Sequence, residues 1–467
     1  MCHGPSALIG GGKTLSPLAA LVLLLGGHDG IIPAPAGANA DDHPPSFTRA
    51  QRAKLAELSP SSLPPPPPDA SNRFADDPRA ALLGQKLFFD PGFSGRLLDG
   101  DNDGGPHALG RRGETGKVAC AGCHVPSAGF LDNRTLGRQV SLAAGWSLRR
   151  TPSLLDVGQV KLLMWDGRRD ALYNQPFGPF EAANEMNTSR LFVAEQVYAR
   201  YRSDYEAIFG PLPPLADGTR FPPLAPEKTG CNRPIEGQPV CHGMPGDAAE
   251  YDGMARADQA AVTQVVVNVG KALGAYQRLL SCSQGRFDRW VHGDTSALTR
   301  AELRGAALFV DKGRCIRCHA GPFFSDQKFH NVGLAPAKVA VAFQDLGDHG
   351  AASGLSAALG DPLNVRSRFS DGDDARLPSS VGPQFEGAFR TPMLRCVAQR
   401  PSFMHTGQMR RLDEVVAFHD RGGHPYGYPG RNELTPLGLS DRERRDIVDF
   451  LGALDGPGPP TALLRSP

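Results

Sequence analysis

Cys120-Ala121-Gly122-Cys123-His124 and Cys315-Ile316-Arg317-Cys318-His319 decide how this chain is read. Both are Cys-x-x-Cys-His strings. Two thiols at that spacing reach the two vinyl groups of one haem and form thioethers. The adjacent His then reaches the iron from the proximal side. One string alone would also suit a redox dithiol or half a zinc site. A zinc site wants four converging thiolates and gives no reason for a His after each pair. Two strings, each closed by His, therefore point to two covalently bound haem c groups, with Cys120, Cys123, Cys315 and Cys318 as thioether carriers and His124 and His319 as iron ligands.

The N-terminus agrees. Lys13 precedes an apolar stretch, Leu18 to Leu25, and Ala38-Asn39-Ala40 supplies a small-x-small cleavage site. Residues 1–40 read as a signal peptide, and the mature chain should begin near Asp41 in the periplasm, where haem c is attached. The alternative is an uncleaved anchor. The apolar run is short for a bilayer and no later stretch is long enough, so no membrane span is expected in the mature form. With 50 Lys and Arg against 49 Asp and Glu, the formal net charge is +1, and no nucleic-acid or membrane-surface partner is implied.

The expected fold is mainly α, with two cytochrome c-type haem domains in tandem. Leu87-Phe88-Phe89-Asp90 stands before the first string and Leu308-Phe309-Val310-Asp311 before the second, a weak internal repeat. Residues 41–78 form a Pro-rich leader whose run Pro64 to Pro68 should be extended and lie against the body. Residues 79–258 form the first haem domain, with an irregular insertion at 210–258. Residues 259–456 form the second, and 457–467 a tail. The run Ala260 to Leu280 places Val265, Val266, Val269, Leu273 and Tyr276 at helical spacing and reads as a core helix. Ser440 to Leu454 reads as a packing helix with Ile447, Phe450 and Leu451 inward. Of nine cysteines, Cys2 leaves with the signal and four carry haem. Cys231 and Cys241 could close a local disulfide; Cys282 and Cys396 either pair or remain buried thiols.

Between and after the strings come Trp165-Asp166-Gly167-Arg168, Gln175, Pro179 and Glu185-Met186, then Phe389-Arg390-Thr391-Pro392, Leu394-Arg395, Met404-His405 and Gly407. In order and spacing this succession resembles the bacterial dihaem cytochrome c peroxidases and the MauG proteins within that superfamily, over roughly residues 80 to 455. The leader Asp69 to Asp77 further resembles the MauG-like branch known as MbnH. The resemblance implies that Glu185 is the distal acid–base group. Gln175 and Pro179 would then shape the distal pocket, and Trp165 would relay electrons between the haems. A peroxidatic iron needs one open face and a group that moves the peroxide proton from one oxygen to the other. No His occurs between His124 and His242, so the gating distal His of many such peroxidases is missing. The bland alternatives are a surface carboxylate for Glu185 and a packed core aromatic for Trp165.

The sixth ligand of the second haem is Met in the peroxidases and Tyr in MauG. Here the matching position is His419, with His424 or Met409 as alternatives. Bis-His ligation implies a lower potential than His/Met. Two departures bear on the rest. Gly313 stands where MauG has a Trp two residues before its second string. Arg150, before Thr151-Pro152-Ser153, replaces a calcium-ligating Asn of the family, and Arg400 occupies a second position near that ion, which argues against calcium. Three functions follow. The first is a MauG-like enzyme using hydrogen peroxide to oxidise a partner protein. The second is a cytochrome c peroxidase fed by a small cytochrome or cupredoxin. The third is a non-enzymatic dihaem electron carrier. The open distal face and Glu185 favour an enzyme, and His419 with no distal His favours the first.

Overall fold

Several helices of this chain start where its sequence supplies caps. The computed structural model describes residues 46–137, 140–232, 239–336 and 348–467. In chain order run α1 (Arg49–Leu58), α2 (Pro78–Phe89), α3 (Cys120–Cys123), α4 (Phe177–Glu181), α5 (Arg190–Arg200) and α6 (Arg202–Phe209), followed by the short strands β1 (Gly230–Asn232) and β2 (Val240–His242). Then come α7 (Arg256–Gln277), α8 (Arg286–Val291), α9 (Arg300–Val310), β3 (Phe329–His330), α10 (Ala351–Gly360), β4 (Phe389–Arg390), α11 (Leu412–Asp420) and α12 (Asp441–Gly452). Asp77 caps α2 by accepting from the Arg79 N–H, with Pro78 at the first position, where no N–H partner is needed. Thr299 with Glu302, and Ser440 with Glu443, form capping boxes at α9 and α12. The two antiparallel pairs, β1–β2 and β3–β4, are minor, so the chain is mostly helical.

Two helix crossings carry the frame, and they are built alike. α2 packs on α7 upstream of the first string; α9 packs on α12 upstream of the second. In each crossing a glycine lets the backbones meet. A Cβ on Gly84 would sit 2.0 Å from the Ala272 carbonyl oxygen, and one on Gly305 would sit 1.9 Å from that of Asp446. Each glycine stands four residues before the first ring of its repeat, Phe88 or Phe309. The internal repeat is therefore Gly-x-x-Leu-Phe-x-Asp. The leader's prolines dock on the body. Gln159 donates to the Pro64 carbonyl, and Arg278 donates to those of Pro66 and Pro67.

Two hydrophobic cores result. One gathers α2, α5 and α7 around the first string. The other gathers Leu55 and Leu58 of α1 with α9, α11 and α12 around the second. Val265, Val266, Val269, Leu273 and Tyr276 on α7 are at most 1 % exposed, each worth roughly 1.5–3 kcal/mol of burial. Their partner is α2, so the helix that a boundary at 258/259 assigns to the second domain packs in the first core. Ile447, Phe450 and Leu451 of α12 point inward as the periodicity requires. Residues 210–258 contain the β1–β2 hairpin, closed by a Cys231–Cys241 disulfide. A second disulfide joins Cys282 to Cys396. Residues 1–40, read as a signal peptide, lie outside the described residues.

Candidate functional site

Each Cys-x-x-Cys-His string folds as one tight turn, and in the first both cysteines and the histidine line one cavity. Cys120–Cys123 is the single helical turn α3, and Cys315–Arg317 a 3-10 turn. The His124 Nδ1 lies 3.2 Å from the Phe130 carbonyl, and the His319 Nδ1 lies 2.8 Å from the Phe324 carbonyl. A carbonyl oxygen only accepts, so Nδ1 carries the proton in both rings and Nε2 keeps its lone pair for a metal. Phe130 and Phe324 both adopt positive φ, 60° and 53°, which turns the two carbonyls toward the rings. The string sulfurs are not disulfide-bonded. Burial pushes the Cys120, Cys123 and Cys315 thiols up to about 12, a poor setting for a redox dithiol.

The first string opens into a cavity of about 510 Å³. Cys120, Cys123 and His124 line it together with Trp165, Gln175, Pro179 and Glu185. The sequence-derived residues of the first site thus share one chamber, and no second histidine lines it among the described residues. Burial pushes the Glu185 carboxyl above the usual carboxylate range, while Arg168 and Arg169 pull it back. Glu185 is therefore not a solvated surface group. Trp165 is 8 % exposed. Its indole N–H donates to the Arg150 carbonyl at 2.7 Å, and its own carbonyl accepts from the Arg390 N–H at 2.8 Å. Gln175 sends its amide toward the Met164 sulfur at 3.7 Å, and Met164 also lines the cavity. Trp146 hydrogen-bonds Asp101, and Trp290 stacks beside Phe287, away from this chamber.

Around the second string, hydrogen bonding separates the candidate ligands. His419 Nδ1 lies 2.9 Å from the Val415 carbonyl, one helical turn back on α11, so its Nε2 is the unprotonated nitrogen. Burial pushes the His319 ring's pKa down, and the nearby His419 adds to that push. His424 is arranged in the opposite way. Its Nδ1 accepts from the Ala335 N–H at 2.9 Å, which puts the proton on Nε2 and removes that atom as a ligand in this tautomer. Met409 is packed in the second core. Gly313 is held for steric reasons, since a Cβ there would lie 2.8 Å from the Leu308 carbonyl oxygen.

Sequence reading placed Arg150 and Arg400 near the family's calcium position but passed over Arg149; Arg149, Arg150, Arg168 and Arg390 all line the cavity. Arg149 is ion-paired to Asp166 and Asp348, at 2.5 and 2.6 Å. Its neighbour Arg150, 4 % exposed, leaves Nε and Nη2 without a hydrogen-bond partner in the protein, as does Arg400 at Nε. The signal was present in Arg149-Arg150, but which arginine would be paired depends on tertiary contacts. A lined cavity, sulfurs on one wall, a histidine with Nε2 free and unpaired buried cations together suit an anionic, ring-shaped, sulfur-linked cofactor.

Comparison with known proteins gives the same reading. Residues 78–230 match the family model described as di-haem cytochrome c peroxidase. The methylamine utilization protein MauG of Methylorubrum extorquens is 30 % identical over 81 % of this chain and 78 % of its own length. The cytochrome-c peroxidase IdrP1 of Denitromonas iodatirespirans is 30 % identical over 86 % of this chain and 87 % of its own. Among solved structures, the diheme peroxidase BthA of Burkholderia thailandensis aligns with TM-score 0.57 at 22 % identity, over 85 % of this chain and 95 % of that one. With both haem strings in place and the fold shared, the chain belongs to the di-haem cytochrome c peroxidase and MauG family of peroxidase-type oxidoreductases.

Proposed function

We propose that this chain is a periplasmic di-haem c enzyme of the MauG kind. It takes two oxidising equivalents from hydrogen peroxide and recovers the electrons from side chains of a partner protein. The observation that carries this reading is His419, its Nδ1 tied to Val415 and its Nε2 free beside His319. Two neutral imidazoles favour an oxidised iron more than a His/Met pair does, which suits a site that stores oxidation rather than one that accepts electrons from a high-potential donor.

In this reading the chain carries two cytochrome c-type units in tandem. When bound, the haems supply the iron centres that react with peroxide and hold the oxidising equivalents. The protein's own parts divide as follows. His124, His319 and His419 present Nε2 as ligands. The Glu185 carboxylate takes the proton from one peroxide oxygen and returns it to the other. Gln175 and Pro179 restrict what enters the cavity. Trp165 lies on the route between the two sites. Peroxide breaks at its O–O bond and leaves as two waters after gaining two electrons and two protons, and a two-electron oxidation of the partner balances both. The reading of residues 1–40 as a signal peptide supports a periplasmic site, and no helix among the described residues is long and apolar enough to cross a membrane.

The relatives that print the name cytochrome-c peroxidase favour a second reading, in which a small cytochrome or cupredoxin supplies the electrons. One peroxide equivalent added to diferric protein separates the two. The MauG-like reading expects a direct reaction and, at rest, one high-spin and one low-spin bis-His EPR signal. An enzyme inert until reduced by one electron would establish the second reading instead.

A further inference from the structure

Arg149 and Arg150 are neighbours in sequence, the first half-buried and the second buried, yet only Arg149 is neutralised. Burial works against the Arg149 cation, and hydrogen bonds to Asp348 and Asp166 more than compensate. Arg150 has no such carboxylate. Its backbone is fixed at both ends, the N–H donating to the His405 carbonyl and the carbonyl accepting from Trp165, so the backbone cannot shift without disturbing Trp165. Two of its guanidinium nitrogens are buried and unpartnered. Burial and the nearby Arg400 charge both disfavour its cation.

Arg400 repeats the pattern. Its Nη2 donates to the Arg395 carbonyl, but its Nε is buried without a partner. Asp156 and Asp455 act on it only through space, and no hydrogen bond joins Arg400 to either. Asp156 is occupied by the Cys282 N–H and Asp455 by the Ala398 N–H. Arg390 adds a third guanidinium, with Nε on the Met164 carbonyl. A guanidinium does not shed its proton in a protein. Unpaired buried charges cost several kcal/mol each, so like charges gathered this way require an anion that the polypeptide does not supply.

We propose that Arg150, whose carbonyl accepts from the Trp165 indole, and Arg400 form a carboxylate seat that takes the propionates of the haem held in the Cys120–His124 cavity. Arg150 and Arg390 both line that cavity, and a haem brings two carboxylates that need burial partners of opposite sign. The seat also protects Trp165. Its indole N–H is held by the Arg150 carbonyl and its own carbonyl by the Arg390 N–H, and without anions these cations would oppose any positive charge passing through the indole. The inference rests on the haem reading of the first string and is independent of whether the oxidised partner is a protein side chain or a donor cytochrome.

The test is equilibrium redox titration of the haem-loaded protein, which needs no peroxide and no turnover. Arg150→Gln and Arg400→Gln should each leave propionate charge uncompensated and stabilise ferric haem, shifting the ferric/ferrous ratio at fixed potential by roughly tenfold, ~59 mV for one electron. The potential should also become more pH-dependent as the freed propionate titrates. Arg150→Lys should restore most of the shift. If Arg150→Gln fails to load haem, Arg400→Gln and Arg150→Lys still decide. Fully haem-loaded Arg400→Gln and Arg150→Gln with wild-type potentials and pH slopes would overturn the seat. So would one calcium per chain whose removal by chelator shifts the wild-type potential. A saturable shift of the wild-type potential with inorganic phosphate would assign the site to a free anion and overturn it too.

Discussion

Glu185 feels two opposed influences, and the balance sets a pH dependence. Burial raises its carboxyl; Arg168 and Arg169 hold the rise in check. The form that can accept the peroxide proton is the carboxylate, so the reaction is available above this pKa and is lost as pH falls through it. Because the pKa lies above the usual carboxylate value, the loss should fall in mildly acid solution. Glu185→Gln should abolish that limb and slow the peroxide reaction by ~10²–10⁴-fold with both haems retained, measured by stopped flow across pH. An unchanged rate would return Glu185 to a packing role. Trp165→Phe keeps the ring but loses the N–H to the Arg150 carbonyl. It should weaken the near-infrared absorption expected when two haems share one oxidation, while leaving haem content unaltered. At this scale much was legible. The strings announce themselves by type and spacing, Glu185, Gln175, Pro179 and Trp165 only through the family resemblance, and the structure brings the last four to one cavity with His124. The contrast between His419 and His424 was not legible, because it lies in which ring nitrogen meets a carbonyl and which meets an N–H.

Among the elements, the two glycine crossings are the feature that sequence reading passed over. A glycine inside a helix reads as a weakness of about 1 kcal/mol. Here Gly84 and Gly305 are where α2 meets α7 and α9 meets α12 at backbone distance. Gly305→Ala improves helix propensity yet drives a methyl into the Asp446 carbonyl. It should therefore destabilise by ~1–3 kcal/mol, read as a lower thermal midpoint with both disulfides intact. Stabilisation would show that the crossing yields freely. The same blindness explains α7. Its apolar spacing was plain, but nothing in the sequence says that its partner is α2 rather than the second string's helices. Arg395 belongs to the elements as well. It is fully buried, pairs with Asp288 through two 2.9 Å bonds, and donates to the Leu58 and Pro322 carbonyls. It thereby ties α1 and α8 to the turn after His319. Burial alone would raise the Asp288 carboxyl; the Arg395 guanidinium overrides it and holds the pKa below the usual value. The pair's stabilisation is present above the ordinary aspartate range and is lost only as pH falls through the depressed pKa. Arg395→Met should cost about 3–5 kcal/mol in denaturant unfolding by leaving Asp288 buried and unpaired.

Across the whole molecule, the Cys282–Cys396 bond joins the segment after α7 to a residue flanked by Arg395 and by Val397 of the second core. Replacing both cysteines by serine should lower stability by about 2–5 kcal/mol, and guanidinium unfolding followed at the two haems should lose its single midpoint. The cysteines span 114 residues, and the second haem string, Cys315 to His319, lies inside the loop they close. In the proposed periplasmic reading, Cys315 and Cys318 must meet their vinyl groups as thiols, unpaired with Cys282 and Cys396. Oxidation that offered Cys282 the wrong sulfur would strand the apoprotein. One crosslink placed around one cofactor site thus makes correct thiol pairing a condition of the second haem's attachment.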